Sequence, residues 1–178
     1  MTHKEAGFTL IETMVVLAIA AIVITLGVPS FNGALQRQRV STTMHLLSAD
    51  MAMARGAAIM RRSRVVVCPR AEGFSPDCSD AKDWSRGWLV FTDANGNRRP
   101  DASGDILRVS DAPASDSAVL YLPASRDALS YLPDGRSAGS NLSIHVCRDG
   151  EHLGKVAVNN LGRVRSERPR PGSRCPYG

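Results

Sequence analysis

A nineteen-residue apolar run, Phe8 to Leu26, carries one ionisable side chain, Glu12. As a helix the run would be about 28 Å long, close to one hydrocarbon core. A carboxylate inside such a span costs on the order of 3 kcal/mol on insertion scales, so Glu12 needs a reason to be there. It could lie near the interface, or close a Thr9-x-x-Glu12 capping box. Neither accounts for Gly7, immediately before the run. A cut after Gly7 would give Phe8 a free α-ammonium within reach of Glu12, and the charge would have a neutralising partner. A secretory signal would instead want a small-x-small cleavage site after the apolar core, which Gly27-Val28-Pro29-Ser30 serves poorly.

Beyond the span about 150 residues remain, enough for one domain with its own core. Aromatics make up only 5% of the chain, so that core must be built from Val, Leu, Ile and Ala. The four cysteines, Cys68, Cys78, Cys147 and Cys175, suit an oxidising compartment and allow three connectivities. Proximity favours Cys68–Cys78, which leaves Cys147–Cys175 to tie down the C-terminal tail. No C-x-x-C pair and no zinc-like His spacing occurs, so no metal is expected. Lys4 and Glu5 cancel before the span while Arg37 and Arg39 follow it, the reverse of a simple positive-inside pattern.

Gly27 and Pro29 should bend or loosen the helix. Past them, Val40, Met44, Leu47, Met51, Ala54 and Ala58 recur every three or four residues, an amphipathic stripe with Arg37, Arg39 and Arg55 off it. His45 reads as a surface residue beside the stripe. After Arg62 the period shortens. Strands are expected at Arg64–Cys68, Gly87–Thr92, Ile106–Ser110, Ala118–Leu122, Ala128–Leu132, Asn141–Cys147 and Lys155–Asn159. The near-continuous apolarity of Gly87–Thr92 implies burial on both faces. In Asn141–Cys147, Leu142, Ile144 and Val146 share one face, with Ser143, His145 and Cys147 on the other. His145 therefore reads as a polar outer-face residue. One helix with seven short strands is an α+β fold: a long N-terminal helix, half apolar and half amphipathic, on antiparallel sheets.

The junction Gly7-Phe8-Thr9-Leu10-Ile11-Glu12, followed by Val15-Val16-Leu17-Ala18-Ile19, resembles the processing site of type IV pilins and type II secretion pseudopilins. The resemblance implies a prepilin leader at 1–7, removed after Gly7 by a prepilin peptidase that also methylates Phe8. It implies a transmembrane helix at 8–28 and a periplasmic domain at 29–178. Glu12 would then pair with the terminus of a neighbouring pilin during assembly. Trp84-Ser85-Arg86-Gly87-Trp88-Leu89-Val90-Phe91-Thr92-Asp93-Ala94-Asn95-Gly96 is similar to the W-x-x-G-W-x-V-F-x-D-x-N-G signature of the GspH/FimT group of minor pilins and pseudopilins. That group implies a helix on two antiparallel sheets, with Trp84 and Trp88 as structural anchors. It also implies a single-pass inner-membrane protein that reaches the cell surface in a pilus.

Asp93-x-Asn95-x-Asn97 invites a calcium reading, but an EF-hand loop needs Gly at its sixth position and Glu at its twelfth. Here those positions hold Arg98 and Gly104. The chain lacks H-E-x-x-H, P-loop and G-x-S-x-G patterns, so neither an enzyme nor a cofactor is expected.

The basic balance is concentrated at the end. Residues 161–178 hold Arg163, Arg165, Arg168, Arg170 and Arg174 against one acid, Glu167, while the whole chain is only +5. Guanidinium forks suit phosphate, although a solvated tail or one drawn to anionic lipid has the same composition. Gly162-Arg163-Val164-Arg165 matches the G-R-x-R element that contributes to DNA binding in FimT-like minor pilins. The resemblance thus implies double-stranded DNA as a partner in natural transformation, contacted by Arg163 and Arg165. Gly162 would permit a tight turn after the preceding strand, and Arg168, Arg170 and Arg174 extend the site by charge alone. The alternative is a GspH-like pseudopilin of a type II secretion system, a structural tip component without DNA affinity.

Overall fold

The computed structural model describes residues 7–72, 77–111, 120–137, 139 and 141–177, without the side chains of residues 26–32. The chain forms two compact units, Met1–Gln38 and Arg39–Gly178. Helix α1 (Leu10–Arg61) starts in the first and supplies the first element of the second.

In the first unit the Thr9 hydroxyl accepts the Glu12 backbone N–H at 3.3 Å, one half of the expected capping box. The apolar side chains from Phe8 to Ile24 that follow are exposed over most of the run. Among the described residues no helix is long and apolar enough to cross a membrane. The described side chains of the run stop at Thr25, and the end of the expected span at 8–28 lies outside them. The helix continues through Gly27 and Pro29, because one lost backbone bond does not end a helix.

The second unit is built on the stripe. Val40, Met44, Leu47, Met51, Ala54 and Ala58 are all buried and form one core with both sheets. The first sheet contains β1 (Val65–Pro69), β2 (Gly87–Thr92), β3 (Ile106–Asp111) and β4 (Leu129–Tyr131) in the order β3-β2-β1-β4. The second contains β5 (Leu142–Arg148), β6 (Glu151–Val158) and β7 (Val164–Glu167) in the order β5-β6-β7. Every pairing is antiparallel. β1 and β2 are buried on both faces: Val65, Val67, Trp88 and Val90 face the helix, while Val66, Cys68, Leu89 and Phe91 form a second cluster.

Trp84 and Trp88 are fully buried anchors. The Trp88 indole N–H donates to Asp50 Oδ2 at 2.8 Å, and the Ser110 hydroxyl donates to the same oxygen at 2.5 Å. Arg108 Nε closes the group on Asp50 Oδ1 at 2.7 Å. Asp50 is a buried carboxylate on the helix whose polar contacts reach β2 and β3. Both disulfides join the expected partners, with Cα separations of 5.5 Å for Cys68–Cys78 and 5.8 Å for Cys147–Cys175.

Three expectations differ from the structure. At Ala118–Leu122, residues 118 and 119 lie outside the described residues, and Tyr121 makes an isolated bridge to Cys147 rather than joining a named strand. The strand expected at Lys155–Asn159 begins four residues earlier, because it pairs along the whole of β5. His145 is on the outward side of β5 as expected but is only 8% exposed, because the C-terminal segment tied by Cys147–Cys175 covers that face.

Candidate functional site

The arginine-rich end of the chain is not a free tail. It first forms β7, the edge strand beside β6, and then folds back along the β5–β6 hairpin. The β6–β7 turn is closed by Asn159, whose side-chain oxygen accepts the Arg163 N–H at 2.9 Å while its carbonyl accepts the Gly162 N–H at 2.8 Å. Gly162 has φ +74°, and a Cβ there would overlap the carbonyl oxygen of Gly135. Only glycine meets both conditions without strain. That carbonyl also accepts Arg55 Nε from the helix at 3.0 Å. Ser137 adds a backbone N–H to Asn160 O at 3.1 Å and a hydroxyl to Asn159 O at 3.0 Å. The hairpin tip is therefore clamped between the helix and the 132–137 turn.

Alternation along β7 sorts its side chains. Val164 packs on the core, and the Ser166 hydroxyl lies 2.8 Å from that of Ser48 on the helix. Arg163, Arg165 and Glu167 fall on the opposite face, with both arginines exposed. Lys155 lies opposite Glu167 in the ladder. Its ammonium binds Glu167 Oε2 at 2.6 Å, and Arg165 Nε binds Oε1 at 3.0 Å. The Lys155 hydrogen bond, then the charges of Lys155 and Arg165, hold the Glu167 carboxyl below the usual glutamate range. Arg163 has no ion pair among the described residues.

Arg168, Arg170 and Arg174 are also exposed but lie elsewhere. The segment beyond β7 turns at Arg170, whose carbonyl accepts the Ser173 N–H at 3.2 Å and hydroxyl at 2.6 Å. The Cys175 N–H then donates to Gly150 O at 2.9 Å, and Arg174 bridges Glu151. Arg163 thus marks one end of the second sheet and Arg174 the other. The structure brings Arg163 and Arg165 together, and adds Lys155 and Glu167. Sequence reasoning passed over these two because their pairing depends on a strand it did not foresee.

At the other candidate site, Gly7, Phe8 and Glu12 are exposed. In the Asp93–Asp101 loop, the Asn95 and Asn97 amides donate to the two Asp101 carboxylate oxygens at 2.8 and 2.9 Å. Among the described residues no three His, Cys, Asp or Glu side chains gather to hold a metal.

Residues 43–162 match the family model of Type II transport protein GspH, and residues 2–28 match the prokaryotic N-terminal methylation motif. The fold is similar to that of the type IV minor pilin FimU from Pseudomonas aeruginosa strain PAO1. Its P21 crystal form superposes with a TM-score of 0.56 at 18% identity, covering 76% of this chain and 96% of that one. Its P65 form gives 0.53 at 17% identity, covering 73% and 97%. No curated protein sequence matches this one.

Proposed function

The chain belongs to the GspH family of minor pilin-like proteins, and on that premise we propose that it is a minor pilin that binds duplex DNA for uptake. The observation that carries this reading is the clamped β6–β7 hairpin, which presents Arg163 at the end of its turn and Arg165 on β7, both exposed. Two guanidinium groups on one face suit a phosphate backbone and read no base. Binding of this kind is sequence-independent and steeply salt-dependent. Arg168, Arg170 and Arg174 extend the positive field along the returning segment.

Delivery follows from the other end. A prepilin peptidase cuts after Gly7 and methylates Phe8, residues 8–28 hold the chain in the inner membrane as a single pass, and the rest faces the periplasm. Glu12 then pairs with the terminus of a neighbouring major or minor pilin as the subunit enters the pilus. The role is structural and binding, not catalytic. The family model's own description favours a second reading, a pseudopilin tip component of a type II secretion system without DNA affinity.

A gel shift of the full chain in non-ionic detergent, with unrelated duplexes at low and moderate salt, separates the two. The expected result is a salt-sensitive, sequence-independent shift that Arg163→Ala with Arg165→Ala abolishes. No shift at low salt, or an undiminished shift in the double variant, overturns the DNA reading and leaves the secretion role.

A further inference from the structure

On the outward face of the β5–β6 hairpin two imidazoles meet. His145 Nδ1 and His152 Nε2 stand 3.0 Å apart, with ring centroids 4.8 Å apart and planes inclined by 50°. The Tyr177 ring meets His145 edge-on at 5.7 Å. The pair is fixed from both sides. His145 is two residues from Cys147, whose disulfide draws Cys175 and the C-terminal segment across the hairpin. The same segment accepts the His152 N–H at Ser173 O, 2.8 Å away, and donates from Cys175 to Gly150.

Two nitrogens bound to one ion at about 2.0–2.1 Å stand roughly 2.9 Å apart at a right angle and 3.4 Å apart at a tetrahedral one. The observed 3.0 Å lies between these values. We propose that His145 and His152 form a two-imidazole site for a divalent transition ion, Cu²⁺ in preference to Zn²⁺, under the C-terminal segment. Imidazole suits both ions, and the Irving–Williams order sets the preference. Water fills the remaining positions.

The hydrogen bonding supports the assignment. A neutral imidazole has one donor and one acceptor nitrogen. In the 3.0 Å contact one facing nitrogen therefore donates and the other offers its lone pair. On metal binding the shared proton passes through water to the far nitrogen of the same ring, and both facing nitrogens hold the ion with no electron transferred. Lys155, the cation beside the pair, is paired with Glu167.

The test is a Cu²⁺ titration of the full chain in detergent, followed by electron paramagnetic resonance. His3→Ala is carried in every sample, because an imidazole in third place behind a free amino terminus chelates copper itself. One Cu²⁺ per chain with two imidazole nitrogens is expected, held more tightly than Zn²⁺ in competition. His152→Asn and His145→Asn should each remove the two-nitrogen signal. Circular dichroism and the masses of both intact disulfides verify folding, and the less buried His152 supplies the milder variant. No two-nitrogen species in excess Cu²⁺, a single-nitrogen species alone, or a signal unchanged in folded His152→Asn overturns the proposal.

Discussion

Replacing Glu167 by Gln tests the arginine hairpin in the direction that charge deletion cannot. The Glu167 carboxylate occupies Lys155 through one oxygen and Arg165 through the other. Binding phosphate with Arg165 therefore means separating it from Glu167 and placing DNA near a fixed anion. Glu167→Gln removes both obstacles. The lost ion pairs lie at the surface, partly exposed, and are worth only about 0.2–1 kcal/mol each, so the fold should survive. If one further phosphate is neutralised, the slope of log K against log[salt] steepens by about 0.9, equivalent near 0.1 M salt to roughly 8-fold tighter binding. The assay is fluorescence anisotropy with a labelled duplex across a salt series, for wild type, Glu167→Gln and Arg163→Ala/Arg165→Ala. The double variant should lose about 1.8 from the slope. Acidification offers a second arm. Glu167 titrates below its ordinary value, so its ion pairs are present above that value and are lost only as pH falls through the lowered one. Wild-type affinity should rise toward that of Glu167→Gln only in that acid range. Equal or weaker binding by a folded Glu167→Gln protein would refute the placement of DNA on this face.

Asp50→Ala should strand the Trp88 indole N–H and the Ser110 hydroxyl, at about 1–3 kcal/mol each. At about 2–4 °C per kcal/mol, Tm should fall by at least about 4 °C in a melt followed through the tryptophan near-ultraviolet signal. A shift under 1 °C would show that the network carries no stability. Gly162→Ala should weaken both fold and DNA binding without changing charge, through a left-handed φ costing roughly 1–2 kcal/mol and overlap with a backbone oxygen. Wild-type Tm in that variant would sink the turn argument. Glu12→Ala should still be cleaved, on an immunoblot of membranes, but appear poorly in sheared pili; normal incorporation would remove its pairing role.

Much of this fold was legible because periodicity reports burial directly. Val40 through Ala58 could be placed in the core from spacing alone, and the unbroken run Trp88–Phe91 announced a strand buried on both faces. Asp50 was illegible for the same reason. A charged residue beside an apolar stripe reads as surface, and its partners Trp88 and Ser110 are 38 and 60 residues away. β7 failed differently. Val164-Arg165-Ser166-Glu167 holds one apolar residue and lies close to prolines, so nothing in its pattern says strand. Its conformation is imposed by the Asn159–Gly162 turn and the ladder to β6. His145 was placed on the correct face, but alternation says nothing about a disulfide-tied segment lying over that face.

The same geometry ranks the five arginines, which composition treats as equal. A free tail would have to give up about 1–2 kcal/mol of backbone entropy per residue ordered on DNA. β7 has already lost that freedom, so Arg163 and Arg165 can add phosphate contacts at little further cost. Arg174 bridges Glu151 at the far end of β6, beside Asp149. An eight-residue strand is about 26 Å long, more than two Debye lengths of roughly 10 Å at 0.1 M salt. A phosphate seated on Arg163 is therefore screened from Arg174. Arg170→Ala with Arg174→Ala removes the same formal charge as Arg163→Ala with Arg165→Ala, yet at 0.1 M salt it should change duplex affinity less than 3-fold. Measured side by side by anisotropy, equal losses from the two pairs would mean that net charge alone governs binding and that the hairpin has no special place in it.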